Sequence, residues 1–138
     1  MVFTPDNTFL YHINHIKERR NIKIDQNISW NINKSVGCNS HNIIYIIECD
    51  KEGCKEKYIG ETKRTLRSRL AEHRGYIVNK YTEKATGAHF NSPGHSVANL
   101  KISVIELVKK RSDIYRKERE DFFIRKFNTY NEGLNRKM

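Results

Sequence analysis

Two tyrosines, an arginine and a histidine fall close together in the predicted elements of this chain. Tyr58 opens the sequence YIG, and Arg69 and His73 follow it in "TKRTLRSRLAEHR". Because Arg69 and His73 are four residues apart, they share one face of the helix that this stretch predicts. Tyr45 lies in the strand predicted to neighbour Tyr58. A charged surface helix has no need of a histidine in register with an arginine, so the grouping is typical of a site that handles phosphate.

A carboxylate is the second candidate for chemistry. Glu120 shares a stripe of a predicted helix with two phenylalanines and an isoleucine, at spacings of three, four and seven, whereas Glu118 falls on the flank. An unpaired charge on the core side of a helix is costly, so we expect Glu120 to have a cation or a metal ion as partner. The ordinary alternative is an ion pair with Lys117 or Arg116.

Two cysteines and two histidines have the types and spacing of metal ligands. Cys49 and Cys54 flank a predicted turn as C-x4-C, and His89 and His95 lie in a later loop as H-x5-H. Two thiolates and two imidazoles match tetrahedral zinc, with the second spacing at the edge of the usual range. A three-cysteine site, and buried free thiols beside turn-capping histidines, are open alternatives. The competing ligands are Cys38, His41 and His73.

Three strands are predicted to position these residues. "NIIYIIEC" is an apolar run rich in β-branched residues, which predicts a strand buried on both faces. "KYIG" predicts a second strand that forms a hairpin with the first, across the turn "CDKEGCKEK". "NLKISVIELV" alternates in polarity and predicts the third strand.

Two helices and a loop complete the predicted domain. "TKRTLRSRLAEHRGYIVNKY" predicts a helix capped by Thr62, and "SDIYRKEREDFFIRKFNTY" predicts a second, capped by Ser112. "TEKATGAHFNSPGHS" predicts a loop or a short helix. The order β-β-α-β-α predicts a small α/β (α+β) domain with a three-stranded, mostly antiparallel sheet flanked by helices. The apolar stripe of the first helix consists of Leu66, Leu70 and Ile77.

The first part of the chain carries weaker signals. "TFLYHINHIKERRNIKI" predicts an amphipathic helix, and the asparagine-rich "DQNISWNINKSVG" predicts irregular structure. We interpret residues 1–37 as an arm or linker that packs, if at all, through Trp30. Residues 38–138 form the predicted domain.

Composition narrows the class of protein. A chain of 138 residues suits one domain with one core. The balance of 26 Lys+Arg against 16 Asp+Glu gives a net charge of +10, which favours a polyanion partner over a surface charged only for solubility. Three cysteines, an odd number, favour reduced thiols or a metal site. We expect no membrane partner and no secretory route, because the chain shows neither a long apolar run nor a signal-peptide layout.

The ordered motifs resemble a known family. "IIY…YIG", then Arg69 and His73 in a helix, then Glu120 and Asn135, resemble the GIY-YIG nuclease family from Asn42 to about Asn135. More narrowly, "NIIYIIEC", "YIGETKRTLRSRLAEH", "HFNSPGH" and "FFIRKFNTYNEGLN" resemble the endonuclease domain of Penelope-like retroelements. An isoleucine replaces the glycine of the first motif, and the tyrosines are further apart than in most members. Both features are similar to the Penelope-like branch.

The resemblance implies metal-dependent hydrolysis of a DNA phosphodiester. It implies that Glu120 holds one divalent ion, Mg²⁺ or Mn²⁺, which prefers oxygen ligands. It implies that Tyr58 is the general base, with its pKa lowered by Arg69 and the metal, and that Tyr45 helps to position it. Arg69 would also bind the phosphate.

Further roles follow from the same resemblance. His73 would support the water or the tyrosine network, and Asn135 would orient the closing segment. The Penelope-like branch has a Cys-Cys-His-His motif around its YIG strand, which supports a structural zinc site. A basic track would bind the backbone of double-stranded DNA without reading its sequence; as plain solvated charges these residues would have no such role. The track comprises Lys63, Arg64, Arg67, Arg74 and Lys80.

The function that this resemblance implies is a nicking endonuclease for retrotransposition. Such an enzyme cuts target DNA and leaves a 3′-hydroxyl from which a reverse transcriptase primes. We therefore expect a nuclear protein, with a reverse transcriptase domain in the full-length element. The alternative is a catalytically silent, zinc-stabilised module that binds nucleic acid. A protein-interaction domain is disfavoured by the charge of +10.

Overall fold

The computed structural model describes residues 37–135 and, for the backbone alone, residues 21–23 and 29–31. Strands β1 and β2 pair as an antiparallel ladder with Ile22 opposite Trp30. Their bounds are Asn21–Lys23 and Ser29–Asn31. The elements that follow are β3 (His41–Cys49), β4 (Lys57–Thr65), α1 (Leu66–Val78), α2 (Ala85–His89), a 3-10 turn (Val97–Asn99), β5 (Leu100–Leu107), α3 (Asp113–Phe127) and α4 (Thr129–Glu132).

The main sheet has three antiparallel strands in the order β4-β3-β5. Strand β3 is central, and Tyr45 pairs with Gly60 on one side and with Val104 on the other. Strand β4 forms one edge. The predicted fold class, a three-stranded antiparallel sheet with flanking helices, is confirmed.

The central strand is buried on both faces because a helix packs against each. Alternate residues of β3 point to opposite sides of the sheet. Tyr45 and its odd-numbered neighbours pack against the Leu66 and Leu70 stripe of α1. Ile44 and Ile46 pack against Phe123 and other residues of α3. This two-sided burial explains the unbroken apolar run that predicted the strand.

The start of the first helix was predicted wrongly. Strand β4 continues to Thr65, and α1 begins only at Leu66. Thr62, the predicted cap, is buried in the strand and pairs with Ile43. The actual cap is Thr65, whose hydroxyl accepts a 3.1 Å hydrogen bond from the Ser68 backbone N–H. Pairing with β3 therefore outweighs the helix propensity of residues 62–65.

The first part of the chain also departs from expectation where it is described. Residues 21–23, placed within the predicted amphipathic helix, form β1, and residues 29–31, predicted to be irregular, form β2. Most of the predicted helix and the side chain of Trp30 lie outside the described residues.

Helix α3 begins as predicted and ends slightly earlier. The Ser112 hydroxyl accepts a hydrogen bond from the Tyr115 backbone N–H, which confirms the predicted cap. Asn128 adopts the left-handed conformation (φ 55°, ψ 36°) that commonly ends a helix, and the short helix α4 follows. Within the described part of the chain, no helix has the length and apolar character that crossing a membrane requires.

Candidate active site and cysteine-histidine cluster

The two tyrosines of the predicted site lie on neighbouring strands. The Tyr45 ring covers Gly60, since a Cβ placed on that glycine would lie 2.2 Å from the Tyr45 Cζ atom. Gly60 is thus required by the close approach of a ring, not by a turn. The ring centroid of Tyr58 is 6.5 Å from that of Tyr45. Strand pairing and the missing side chain at position 60 fix the place of the tyrosine pair.

Helix α1 contributes an arginine and a histidine to the same site. Arg69 Nε donates to the Tyr45 hydroxyl at 2.9 Å, and His73 Nε2 lies 2.7 Å from that hydroxyl. His73 Nδ1 lies 2.8 Å from Oγ1 of Thr86 on α2. The His73 ring is also 5.5 Å from that of Tyr58, centroid to centroid. The spacing of four between Arg69 and His73 therefore serves one shared tyrosine.

Burial controls the protonation of this network. Desolvation raises the pKa of Tyr45 well above its usual range, and it also raises that of Tyr58, although the Arg69 charge lowers both. Desolvation lowers the pKa of His73 to about 3, and the Arg69 charge lowers it further. Arg69 thus lowers the pKa of Tyr58 as expected, and burial outweighs this contribution. At neutral pH these groups are two phenols and a neutral imidazole.

Glu120, on α3, is close enough to the site to interact with its groups electrostatically. Burial raises the pKa of its carboxyl to about 7, the charge of Glu61 raises it further, and Arg69 opposes the rise. Glu120 in turn raises the pKa of both tyrosines. Within residues 37–135 no salt bridge includes Glu120. A half-buried carboxylate that forms no salt bridge among these residues is suited to hold a metal ion.

Arg116 binds the carboxylates of Glu61 and Asp113 and not that of Glu120. Its Nε donates to Glu61 at 2.5 Å and its Nη2 donates to Asp113 at 2.6 Å. Its Nη1 donates to the Asn42 side chain at 3.0 Å. Arg116 is 5% exposed, so it ties α3 to β3 and β4 from inside. The predicted ion pair of Glu120 with Arg116 is therefore wrong. Lys117, the other predicted partner, forms no salt bridge with Glu120 among residues 37–135, although its charge lowers the pKa of Glu120.

Asn135 supports the edge strand. Its Oδ1 accepts from the Ile59 backbone N–H at 2.6 Å, and its Nδ2 donates to the Ile59 carbonyl at 2.7 Å. These two bonds complete the outer side of β4 between Tyr58 and Gly60. Asn135 thus holds the strand that carries Tyr58, and both of these side-chain hydrogen bonds go to backbone atoms.

A cavity of about 110 Å³ opens beside the tyrosine and histidine. Tyr58, Arg69 and His73 line it, and two unpredicted residues, Tyr76 and Lys84, join them. Tyr76 could have been found from its spacing, because it follows Arg69 by seven residues and His73 by three on one helical stripe. Lys84 lies 5.5 Å above the Tyr76 ring, a contact between loops and helices for which the sequence holds no signal.

A family model described as the GIY-YIG catalytic domain matches residues 41–135, more than half of the chain. The chain belongs to the GIY-YIG family. Membership implies nuclease activity with DNA as the substrate class, and nucleases with this domain generally use divalent metal ions. No curated protein and no solved structure gives a significant match.

This GIY-YIG domain also brings the four predicted metal ligands together. One ligand atom from each of Cys49, Cys54, His89 and His95 lies within 4.8 Å of the others. Cys54 Sγ is 3.5 Å from His89 Nε2, and the two imidazole centroids are 4.5 Å apart. His95 Nε2 is buried without a hydrogen-bond partner among the described residues. Such an orphaned nitrogen beside two thiols fits a metal ligand.

The competing ligands lie elsewhere in the GIY-YIG domain. Cys38 Sγ accepts from Arg67 Nη2 at 3.3 Å, His41 is exposed at the start of β3, and His73 belongs to the tyrosine network. None of the three joins the cluster. Burial raises the pKa of the Cys49 thiol to about 11, and Cys54 adds to the rise, so a cation is needed to ionise it at neutral pH.

The basic residues divide into two groups. Lys63 and Arg64 end β4 beside the site and line a groove of about 280 Å³ with Arg69 and Lys117. Arg64 also pairs with Glu72. The groove continues past Lys63 and Asp113 to Arg111, a basic residue that was not predicted to bind DNA. The other predicted residues lie along α1 and just beyond it. They are Arg67, Arg74 and Lys80.

Proposed function

We propose that this GIY-YIG domain is a metal-dependent endonuclease that nicks double-stranded DNA. The observation that carries the proposal is that Arg69 and Glu120 are both close enough to Tyr58 for their charges to shift its pKa. Three elements of separate sequence supply these residues, and each was expected from the family resemblance. A module that only binds nucleic acid has no need of a half-buried carboxylate beside two tyrosines.

In this proposal the protein residues position phosphate and water. Arg69 binds the scissile phosphate and stabilises its developing charge. Tyr58 is the general base, and Tyr45 and His73 hold the geometry of the network around Arg69. Burial raises the pKa of Tyr58, so the phenolate needed at neutral pH depends on positive charge in the site beyond Arg69.

Glu120 is the proposed ligand of Mg²⁺ or Mn²⁺. Its fit rests on the carboxylate's partial burial, raised pKa and lack of a salt bridge within the described residues. When bound, a divalent ion supplies charge that polarises the phosphoryl oxygen and stabilises the leaving oxygen. The Glu61 carboxylate is already paired, because Arg116 Nε donates to its Oε2 atom at 2.5 Å.

Zinc is the proposed occupant of the cysteine-histidine cluster. The donor set of two thiolates and two imidazoles is one that structural zinc prefers, and four protein ligands close the site. Cys49 and Cys54 bracket the β3–β4 turn, whereas His89 ends α2 and His95 follows it. Zinc would therefore pin the α2 segment to the hairpin that carries Tyr58.

The groove beside the site is the proposed path of the DNA backbone. Lys63, Arg111 and Lys117 are exposed and make no salt bridge within residues 37–135. Their charges are free to neutralise phosphates, in contrast to the buried Arg116. Arg67, Arg74 and Lys80 would meet more distant phosphates along α1. Contacts of this kind position DNA without reading its sequence.

A role in retrotransposition is the finer part of the proposal. It is supported by the four resembling segments and by the gathering of the Cys-Cys-His-His set at the YIG hairpin. The nick would expose a 3′-hydroxyl for a reverse transcriptase domain of the full-length element, acting in the nucleus. By this account the domain belongs to a Penelope-like element.

The test is conversion of supercoiled plasmid to open circles in Mg²⁺ or Mn²⁺, followed by polymerase extension from the nick. We expect the parent to nick and the product to be extended. Tyr58→Phe removes the base and should slow nicking by a factor on the order of 100. The control is Tyr130→Phe, at a position 45% exposed, which should change nothing. A parent that binds DNA and never nicks would instead support the silent binding module.

A further inference from the structure

The hydrogen bonds of the Tyr45 hydroxyl have a fixed direction. Arg69 Nε, 2.9 Å away, can only donate, because a guanidinium has no acceptor. Tyr45 is 0% exposed and its pKa is raised well above the usual range, so the phenol keeps its proton. That proton needs an acceptor, and His73 Nε2 at 2.7 Å is the one at hand. Tyr45 therefore donates to His73.

This direction favours one tautomer of His73, the one in which the second ring nitrogen donates to Thr86. The His73 ring is 2% exposed, and burial lowers its pKa to about 3, so the imidazole is neutral. A neutral imidazole has one donor nitrogen and one acceptor nitrogen. Because Nε2 accepts from Tyr45, the proton resides on Nδ1, which donates to Thr86 Oγ1 at 2.8 Å.

The opposite direction leaves a buried donor without a partner. If Nε2 carried the proton, the Tyr45 oxygen would accept from both Arg69 and His73. Within residues 37–135 the Tyr45 hydroxyl has no third partner, so its own O–H would be unsatisfied in the core. Buried polar hydrogens are rarely left so.

Thr86 is held in place by tight packing of α2 on the end of α1. It is 1% exposed. A Cβ on its neighbour Gly87 would lie 2.1 Å from the Tyr81 carbonyl oxygen, so the two segments touch through backbone. Asn91 Nδ2 donates to the carbonyls of both Ile77 and Gly87, at 2.9 and 2.7 Å. The Thr86 oxygen is therefore held beside His73 Nδ1, and the hydroxyl's own hydrogen can turn toward the cavity of about 110 Å³ that Thr86 lines.

We propose that Thr86 is a positioning residue of this nuclease site: its hydroxyl accepts from His73 Nδ1–H and so keeps His73 Nε2 as the acceptor of the Tyr45 hydroxyl. Its catalytic consequence rests on the proposed function, since an ordered Tyr45 holds Arg69 where the phosphate binds. The tautomer itself does not depend on nuclease activity. Nothing in the sequence around Thr86 marks this role.

The test combines the tautomer of His73 with nicking rates. Proton–nitrogen correlation spectra of ¹⁵N-labelled protein distinguish Nδ1–H from Nε2–H imidazole directly. The variants are Thr86→Val, which keeps the shape and removes the acceptor, and Thr86→Ser, which keeps the hydroxyl. Thr82→Val is the control, because Thr82 is exposed. Thermal unfolding of each variant shows that it is folded.

We expect the parent, Thr86→Ser and Thr82→Val to show Nδ1–H His73. Thr86→Val should show a mixture of Nδ1–H and Nε2–H, because each tautomer then leaves one buried hydrogen without a partner. Thr86→Val should also lower the nicking rate by about 10–100-fold with DNA affinity unchanged, and Thr86→Ser should restore it. An Nε2–H tautomer in the parent, or an unchanged tautomer in folded Thr86→Val, overturns the proposal. If the parent fails to nick, the proposed function fails, and the spectra still decide the role of Thr86.

Discussion

The Tyr45 ring and the Gly60 backbone occupy adjoining space on paired strands, with no room for a side chain between them. A Cβ on Gly60 would lie 2.2 Å from Tyr45 Cζ and 2.3 Å from its hydroxyl oxygen. That hydroxyl is the atom that Arg69 and His73 contact. A methyl group at position 60 must therefore displace the centre of the network.

Gly60→Ala is expected to lower the nicking rate by on the order of 100-fold. It should also lower the unfolding free energy by roughly 1–3 kcal/mol, because the added methyl group overpacks the core at this point. Plasmid nicking and urea unfolding measure the two effects. The matched control is Gly75→Ala within α1, where a Cβ meets nothing within 4 Å. That substitution should leave nicking unchanged and stabilise the helix by roughly 0.5–1 kcal/mol.

His73 makes the stability of the folded domain depend on pH. Its pKa is about 3 in the folded domain and 6.5 for the free side chain, so only the unfolded chain takes up its proton between those values. The contribution of neutral His73 is complete above pH 6.5 and is lost as the pH falls toward 3, by about 1.4 kcal/mol per pH unit. His73→Gln, which does not titrate, should therefore show a shallower loss.

Urea unfolding of parent and His73→Gln at pH 7, 6, 5 and 4 measures this difference in slope. Equal slopes for the two proteins would mean that His73 is already able to protonate in the folded domain. The buried, neutral imidazole would then be an incorrect description.

Metal in the cysteine-histidine cluster is expected to stabilise the domain. Cys54→Ser removes one ligand, so we expect bound zinc to fall from about one equivalent to none and the unfolding free energy to fall by at least about 3 kcal/mol. Cys38→Ser is the control, because the Cys38 sulfur contacts Arg67 and lies outside the cluster. Elemental analysis and thermal unfolding with and without chelator measure both effects. Equal zinc loss in the two variants would contradict the assignment of Cys54 as a zinc ligand.

If DNA follows the groove, removing a positive charge from it should weaken DNA binding. Lys117→Ala or Lys63→Ala should reduce the slope of log affinity against log salt by about 1, because each removes one phosphate contact. Lys126→Ala is the control on the same helix, since position 126 is nine residues beyond Lys117 and faces the opposite side of α3. Titrations of a labelled duplex at several salt concentrations give the slopes. If Lys126→Ala lowers the slope as much as Lys117→Ala, the backbone path is not the groove.

The elements that could be predicted from the sequence are those whose buried residues form a recognisable apolar pattern or whose cap has a typical residue. The β-branched run of β3, the Leu66–Leu70 stripe of α1 and the Ser112 cap of α3 all appear where their patterns indicate. The separation of Cys49 and Cys54 by four residues similarly indicated a turn with two ligands, and the structure brings both histidines to them.

Long-range partners account for what was missed. Thr62 resembles a helix cap locally, yet it pairs across the sheet with Ile43, and only the neighbouring strand shows this. Arg116 resembles a partner of Glu120 on one helix, but its side chain reaches Glu61 instead. Thr86 has no distinctive neighbours at all, because its role comes from the packing of α2 on α1. Contacts between distant segments leave no local pattern to detect.

The central claim is that Glu120 makes this site a nuclease. Burial raises its pKa from 4.5 to about 7, so the contribution of Glu120 to stability is complete below pH 4.5 and is lost as the pH rises through 7. Glu120→Gln removes a poorly compensated charge. It should therefore be at least as stable as the parent at pH 8 in the absence of divalent ions, and loss of activity would not reflect unfolding.

The most direct measurement is the rate of plasmid nicking in Mg²⁺ by the parent, Glu120→Gln and Glu118→Gln. Glu118 lies two residues away on the same helix and is exposed, so it controls for the loss of one carboxylate. We predict that the parent and Glu118→Gln nick at equal rates and that Glu120→Gln is slower by at least about 100-fold with DNA binding retained. Equal nicking by Glu120→Gln and the parent would contradict the assignment of this carboxylate as the metal ligand of the site.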